Sequence, residues 1–194
     1  MVNKFIFKMP ACQNLKDRIS TINNAYATGI TPYIRPDNEN EIDQYYKELG
    51  VEKNQCVYCL GEGNGMDHLK SLVEGGMPSG YITDIHNLVP CCSRCNSSKG
   101  SKSFEDWYLS DKNIKRLKKL GLDDNKINER YKKICDFEDK IPGPIDYEKI
   151  VGKDKWEEYK SRKKKLVKQL EKEQKFLDDL NKKIMSKKMN GISN

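Results

Sequence analysis

The chain has 194 residues, with 36 Lys and Arg against 29 Asp and Glu, and a formal net charge of +7. Charged residues make up 34% and apolar residues 36% of the sequence, which excludes a large buried interior and suits one small core with helical extensions. No run approaches the roughly 18 apolar residues of a membrane span. The basic balance favours a polyanionic partner, not a membrane.

The apolar pattern of residues 1–50 predicts a helical segment. In the opening MVNKFIFKMP, a lysine and a proline interrupt the apolar run, so no secretory signal is expected and the cytoplasm is the expected compartment. Leu15, Ile19, Ile22 and Tyr26 then recur at the three- and four-residue spacing of an amphipathic helix. After a proline-containing break, a second apolar stripe predicts a helix that ends at Gly50.

Residues 51–110 contain two C-x-x-C pairs, Cys56–Cys59 and Cys92–Cys95. Each such turn directs two thiolates to one point, and two turns complete a tetrahedral site suited to zinc. The odd total of seven cysteines argues against a closed disulfide framework. A site with four thiolates leaves no ligand position for water, so the zinc is predicted to be structural. The alternative is two redox pairs, or buried cysteines unrelated to a metal.

The other cysteines are predicted to pack, not to bind metal. Cys91 adjoins Cys92 and could replace it, but only Cys92 keeps the C-x-x-C spacing with Cys95. Cys12 and Cys135 are expected to be small core residues.

Between and beyond the two pairs, polar residues occur in a recognisable order. Asp67-His68 comes first, then Asn87 within the stretch NLVP, and finally Asn96 within CNSSKG. With the cysteines interleaved, residues 54–108 resemble an HNH endonuclease of the ββα-metal fold, in its zinc-bound four-cysteine form. The resemblance implies hydrolysis of phosphodiester bonds with a bound Mg²⁺ or Mn²⁺, and a supporting role for Asn87 in orienting the catalytic histidine.

The residue types fit that chemistry. A neutral imidazole accepts a proton from water near neutral pH, so His68 is predicted to be the general base. Asp67, which points to the other side of the strand, and Asn96 are predicted to supply two oxygen ligands to the cation. The less specific alternatives are a surface Asp-His dipeptide, a helix N-cap at Asn96 and a turn at Asn87. His86, the second histidine, is expected to be a surface or strand residue.

Basic residues around Asn96 predict a contact with DNA phosphates. Arg94, Lys99 and Lys102 lie at or near the start of the expected helix, and Lys70 adds to the same face. The alternative is a solvated basic turn. The aromatic residues that follow, Phe104, Trp107 and Tyr108, are predicted to pack in the core instead of stacking on bases.

The rest of the chain is predicted to be helical. Residues 111–152 form a helical segment and a linker, and residues 153–194 form a long charged helix. Trp156, Leu170, Leu177 and Ile184 lie on a seven-residue repeat, with Tyr159, Leu166 and Leu180 three residues along. Lys163 and Glu173 interrupt this imperfect heptad, which predicts either a homodimer or a helix folded back on its own chain. A dimer would bring two active sites to one duplex.

These patterns predict an α+β protein with a small zinc-bound ββα-metal core and flanking helices. The expected function is a Mg²⁺- or Mn²⁺-dependent endonuclease acting on double-stranded DNA, foremost a type II restriction enzyme. A phage or mobile-element nuclease or nickase is the alternative within the same chemistry. From other classes, a non-catalytic zinc module that binds nucleic acid and a helical interaction protein stay open.

Overall fold

The computed structural model describes residues 12–191. The protein is α+β, as predicted, with helices around two small antiparallel sheets. Its chain divides into two compact units. One comprises Asn23–Gly152, and the other joins the described residues up to Ile22 with those from Lys153 onward. The predicted domain boundaries at residues 50, 110 and 152 stay predictions.

A 3₁₀ turn at Leu15–Arg18 precedes the regular elements. In chain order these are α1 Ile19–Thr28, α2 Glu39–Leu49, β1 Gly65–His68, β2 Val73–Glu74, β3 Met77–Pro78, β4 Leu88–Cys91, α3 Ser93–Lys99, α4 Phe104–Tyr108, α5 Asp111–Lys119, α6 Asp124–Glu138, α7 Tyr147–Val151 and α8 Lys153–Gly191.

Local sequence fixes most helix ends. The side chain of Asn38 accepts a hydrogen bond from the Glu41 N–H at 3.0 Å and caps the start of α2. Gly50 ends α2 in the left-handed conformation at φ 59°, where the sequence predicted the stop. Side chains also cap the starts of the later helices, at Ser103, Ser110, Asp123 and Asp146.

The core of the 23–152 unit packs α2, α4, α5 and α6 around the cysteine-rich segment. Phe104, Trp107 and Tyr108 are all buried, which confirms the prediction that they pack in the core. Trp107 meets the ring of Tyr58 edge-on at 4.9 Å. Arg130 of α6 is also buried, and its guanidinium donates to the carbonyl oxygens of Leu49 and Val57. This arginine therefore ties α6 to the end of α2 and to the cysteine-rich segment.

The two sheets are nested. β1 pairs with β4 in antiparallel register, with Asp67 opposite Val89 and His68 opposite Leu88. Between them, β2 and β3 form a small hairpin around Gly75 and Gly76, which have φ values of 56° and 79°. A two-residue turn with both φ angles positive requires residues of this kind. Because β1 pairs across this insert, the segment that follows β4 returns beside β1.

The second unit consists mainly of α8, and this element is a long charged helix, as predicted. The 3₁₀ turn packs on α8, and the Leu15 N–H donates to the buried Gln174 side chain at 2.7 Å. Leu177, Leu180 and Ile184 of the predicted heptad are exposed.

Two further expectations have plain outcomes. Cys12 is exposed, so the prediction that it is a core residue is wrong. It precedes the 3₁₀ turn at Leu15–Arg18. The apolar opening at residues 1–10 lies outside the described residues. Within residues 12–191, none of the helices combines the length and the apolar character needed to cross a bilayer.

Candidate metal centre and active site

The structure brings the four predicted zinc ligands together. The sulfur atoms of Cys56, Cys59, Cys92 and Cys95 all lie within 4.8 Å of one another, and the Cys59 and Cys92 sulfurs are 3.9 Å apart. A tetrahedral zinc with Zn–S bonds of about 2.3 Å needs sulfur–sulfur distances of roughly 3.8 Å. The cluster is therefore compatible with zinc. Cys91 is buried outside this group, which agrees with a packing role.

Backbone hydrogen bonds hold the two cysteine turns in place. The Val57 N–H, within the first turn, donates to the Pro90 carbonyl of β4 at 2.8 Å. The second turn opens α3, where the Cys92 sulfur accepts from the Cys95 N–H at 3.4 Å and acts as the N-cap. β4, which pairs with β1, thus leads directly into the cysteine cluster.

Crowding four sulfurs couples their protonation. Hydrogen bonds from Cys59 and Cys95 hold the pKa of Cys56 far below its usual range, and the same contacts raise the pKa values of Cys59 and Cys95. Binding of a divalent ion to the four sulfurs would release their remaining protons and remove the mutual repulsion of the thiolates.

A nearby arginine supports this cluster from α5. Both Arg116 terminal nitrogens donate to the Cys95 sulfur at 3.3 Å. The guanidinium is itself fixed, since it donates to the Asn113 side chain and lies 6.0 Å from the Trp107 ring. Hydrogen bonds of this kind orient metal ligands and offset the negative charge of four thiolates.

Arg116→Gln is therefore expected to weaken zinc binding about 10- to 100-fold, the usual effect of removing a group that supports a metal ligand. The measurement is competition with a colorimetric chelator. The matched control is Lys115→Gln, because Lys115 is the exposed neighbour on the same helix. Equal zinc affinity in the two variants would show that Arg116 does not support the site.

Asp67 lies on the inner side of β1, and its carboxylate is already engaged. One oxygen, Oδ2, accepts from the Tyr58 hydroxyl at 2.6 Å and pairs with the Lys99 ammonium at 3.1 Å. Asp67 is 6% exposed and Lys99 is 0% exposed. Burial and this carboxylate both raise the pKa of Tyr58 well above its usual value, so its hydroxyl keeps the proton that it donates. These bonds leave the other carboxylate oxygen as the one able to face a cation.

The position of Lys99 does not suit its predicted phosphate contact. Its ammonium also donates to the His68 carbonyl at 2.8 Å, so it is held between two residues of β1. Charge at a helix end predicted a DNA contact, but α3 packs on β1 and turns this side chain inward. Arg94 and Lys102, by contrast, are exposed. A DNA contact by either stays a prediction.

His68 follows Asp67 on β1 and is half-buried. Its Nε2 is 2.9 Å from the Thr83 hydroxyl. Burial is the main cause that lowers the pKa of His68 below its usual value, and the charge of Lys99 acts in the same direction. The neutral ring, which is the form that accepts a proton, is therefore favoured at neutral pH. His86, the other histidine, is exposed.

Asn87 is buried, and its side chain hydrogen-bonds to the chain both before β2 and after β3. Its side chain accepts from the Lys70 N–H at 2.8 Å and donates to the Lys70 and Ile82 carbonyls. Its own carbonyl accepts from the Leu69 N–H, directly after His68. This geometry fits the predicted role of orienting the histidine through the backbone, which stays a prediction.

Asn96, from α3, reaches the same strand. Its side-chain nitrogen donates to the Met66 carbonyl at 3.4 Å, next to Asp67. That bond uses the amide nitrogen, not the oxygen that was predicted to bind the cation. α3 thus brings two side chains to β1. Lys99 pairs with Asp67, and Asn96 is a predicted cation ligand.

Comparison with known proteins agrees with this arrangement. The family model described as HNH endonuclease matches residues 56–102. The chain contains an HNH endonuclease domain. A curated relative is "SPbeta prophage-derived putative HNH endonuclease YoqL" of Bacillus subtilis (strain 168), 32% identical over 90 residues, which cover 41% of this chain and 38% of the relative. The chain therefore spans well under half the length of this relative. No solved structure matches.

Three residues near the HNH motif were not found from the sequence. Tyr58 contacts Asp67 from inside the first cysteine turn, Thr83 contacts His68 from the insert, and Arg116 contacts Cys95 from a later helix. Tyr58 had one signal in the sequence, its position between two cysteines predicted to bind metal. A tyrosine buried there needs a hydrogen-bond partner for its hydroxyl. Thr83 and Arg116 carried no such signal, because their partners are distant along the chain.

The buried ion pair of the HNH domain has a measurable consequence. Lys99→Met removes the charge that neutralises Asp67, and an unpaired buried carboxylate costs about 3–5 kcal/mol of unfolding free energy. Urea denaturation with excess zinc measures the loss. Lys102→Met, an exposed lysine three residues later, should change the unfolding free energy by less than about 0.5 kcal/mol. A Lys99→Met protein as stable as Lys102→Met would refute the structural role of the pair.

Proposed function

We propose that this protein is a metal-dependent endonuclease that hydrolyses phosphodiester bonds in DNA. The observation that carries the proposal is the position of Asp67 and His68 on β1, with Asn96 hydrogen-bonded to the same strand, inside a frame of four clustered cysteines. A non-catalytic zinc module needs the cysteines and basic residues, but it gives no reason for a histidine and two oxygen donors around one strand.

The chain's own residues divide the work. His68 accepts a proton from the attacking water, and its ring is held at Nε2 by the Thr83 hydroxyl. Asn87 fixes the backbone on either side of the insert, which keeps the imidazole aimed at the same point. Tyr58 and Lys99 hold one oxygen of Asp67, so the other oxygen has a fixed direction.

Asp67 and Asn96 would hold the divalent cation. One carboxylate oxygen and one amide oxygen are hard ligands that suit Mg²⁺ or Mn²⁺, which take their remaining ligands from water and phosphate. When bound, the cation supplies Lewis-acid polarisation of the phosphate and charge relief at the leaving oxygen.

The four cysteines would hold a structural zinc. They occupy every position of a tetrahedral site, and Asp67 and His68 do not belong to the cluster. The zinc would therefore stabilise the fold of residues 56–102 and leave the chemistry to β1 and α3.

Double-stranded DNA is the proposed substrate. The exposed Arg94 and Lys102 would contact its backbone phosphates, which position the duplex without reading sequence. The net charge of +7 favours approach to such a polyanion. Lys99 is assigned to Asp67 instead, since its ammonium is buried.

The direct test is a plasmid-nicking assay with the purified zinc-loaded protein. Conversion of supercoiled plasmid to nicked or linear DNA is expected in Mg²⁺ or Mn²⁺ and not when both are omitted. Omission is a better control than a strong chelator, which would also remove zinc. Intact plasmids of several sequences in the presence of either ion would contradict the proposal.

The biological context divides into two candidates. A type II restriction enzyme acting in the cytoplasm gives discrete bands on genome-sized DNA. A phage-type nuclease is favoured by the relative, whose printed name is prophage-derived. A smear on genomic DNA would argue against the restriction enzyme.

A homodimer through α8 is proposed as the route to double-strand cleavage. The support is the exposure of Leu177, Leu180 and Ile184 at the predicted heptad positions. Linear product formed without accumulation of nicked plasmid, together with a dimeric mass in sedimentation, would support it. A monomer that only nicks would contradict it.

A further inference from the structure

The segment 32–36, with the sequence PYIRP, is hydrogen-bonded through its backbone but presents apolar side chains to solvent. Ile34 N–H donates to the Thr83 carbonyl at 2.8 Å, and the Thr83 N–H donates back to the Pro32 carbonyl at 3.0 Å. Prolines at both ends restrict the backbone further. Yet Tyr33 is 68% exposed and Ile34 is 54% exposed. A fixed backbone that holds large apolar groups in water is suited to contact a partner.

This segment is joined to the proposed general base. Thr83, which carries both backbone hydrogen bonds, also contacts His68 Nε2 through its hydroxyl at 2.9 Å. One threonine therefore links the exposed segment to the imidazole.

A groove runs from the segment to the catalytic strand. Its volume is about 220 Å³, and it is lined by apolar and aromatic residues from the segment, α2, β1 and β4, including Tyr33, Ile34, Tyr46 and Met66. Met66 is exposed and immediately precedes Asp67. The groove and the proposed catalytic residues therefore share β1, although Asp67 and His68 do not line the groove.

The chemistry of the surface favours nucleobases over phosphates. Among the described residues, none that lines the groove carries a charge. The Arg35 guanidinium lies over the Tyr33 ring, 5.9 Å from its centroid. Aromatic rings stack on bases, and apolar wedges such as Ile and Met partly unstack base steps where a protein follows the minor groove. A guanidinium on the ring is compatible with a neighbouring phosphate.

We propose that segment 32–36 and Met66 form a base-contacting surface that grips the DNA substrate beside the scissile phosphate. This inference rests on the proposed function. The inference adds to that function an apolar surface that contacts the bases, whereas Arg94 and Lys102 contact the phosphates through their charge.

The test compares Ile34→Ser with Ile150→Ser. Ile150 is 66% exposed on α7, so the same change there removes an equally exposed apolar side chain away from the groove. Affinity for a fluorescent duplex is measured by anisotropy in magnesium-free buffer at several salt concentrations. Single-turnover cleavage is then measured with Mg²⁺ at saturating protein.

Ile34→Ser is expected to raise the Kd for the duplex about tenfold, with Tyr33→Ala giving a similar rise, because stacking and wedge contacts each contribute on this scale. The dependence of Kd on salt should not change, since no phosphate contact is lost. The cleavage rate at saturation should stay within about threefold of wild type, and Ile150→Ser should match wild type throughout.

Three outcomes would overturn the proposal. An unchanged Kd in both variants, with wild type active, removes the surface and leaves the nuclease proposal intact. An unchanged Kd with a slower rate at saturation would mean that the segment only positions Thr83. A wild-type protein that neither binds nor cuts DNA removes the nuclease proposal and this surface with it.

Discussion

Cys56→Ser will lose zinc and the tertiary structure of residues 56–102. The four sulfurs lie within 4.8 Å of one another, and three of the four cysteines are buried. A serine cannot supply the fourth thiolate, and structural zinc in small modules contributes an apparent 10–16 kcal/mol to folding. That amount is comparable to the typical stability of a whole domain, about 5–15 kcal/mol. Losing most of it leaves too little burial to hold the turns together.

Two measurements follow the loss. Zinc content by mass spectrometry should fall from one ion per chain towards none. Near-ultraviolet circular dichroism should lose the signal of Trp107, which packs against Tyr58 between the cysteines of the first turn. The helical signal should fall less, because α8 belongs to the other compact unit.

Matched cysteine variants make this result specific. Cys12→Ser changes an exposed thiol and should keep full zinc content. Cys91→Ala removes the buried thiol next to Cys92, and it should also keep one zinc per chain if Cys92 is the ligand. Zinc loss in Cys91→Ala with retention in Cys92→Ala would reverse that assignment. Full zinc in Cys56→Ser would rule out the four-cysteine centre.

His68→Ala should lower the rate of plasmid nicking by about 10²- to 10⁴-fold, the usual contribution of a positioned general base. The imidazole is held at Nε2 by Thr83 and lies next to Asp67 on β1. Its lowered pKa keeps the proton-accepting form present at neutral pH. No other described histidine lies on this strand, so no side chain of the same type replaces it.

His86→Ala is the control for this prediction, because His86 is the second of only two histidines and is exposed. Its nicking rate should stay within about twofold of wild type. Zinc content and melting temperature should match wild type in both variants, which separates lost chemistry from lost folding. Normal nicking by His68→Ala, or loss of nicking by His86→Ala alone, would move the base to another residue.

Much of the candidate site was predictable because its spacing along the chain is short. Two cysteines three residues apart must form a turn that directs both sulfurs to one point, so the metal centre could be identified without a structure. Asp67 and His68 are adjacent, and Asn96 follows a metal-binding cysteine directly. Helix ends were also local, as Gly50 shows, since a left-handed residue after an apolar stripe ends a helix in any context.

The tertiary structure decided which charges meet. Lys99 is 31 residues from the His68 carbonyl that it contacts, and Arg116 is 21 residues from the Cys95 sulfur. From the sequence both are ordinary lysine and arginine residues in a basic chain. Only the packing of α3 on β1 turns the Lys99 ammonium inward, where the Asp67 carboxylate and the His68 carbonyl bind it. Its predicted contact with phosphate rested on its charge and on its position near a helix start, and neither shows which way the side chain turns.

The sequence alone thus determined the metal-binding frame and the order of the candidate catalytic groups, since adjacent residues and fixed turns leave few geometries. Only the tertiary structure decided the partners: Tyr58 and Lys99 on Asp67, Thr83 on His68, and segment 32–36 beside the groove. The reason is that β1 pairs with β4 across an intervening hairpin. Contacts between residues so far apart depend on how the whole core packs, and a local pattern does not contain that information.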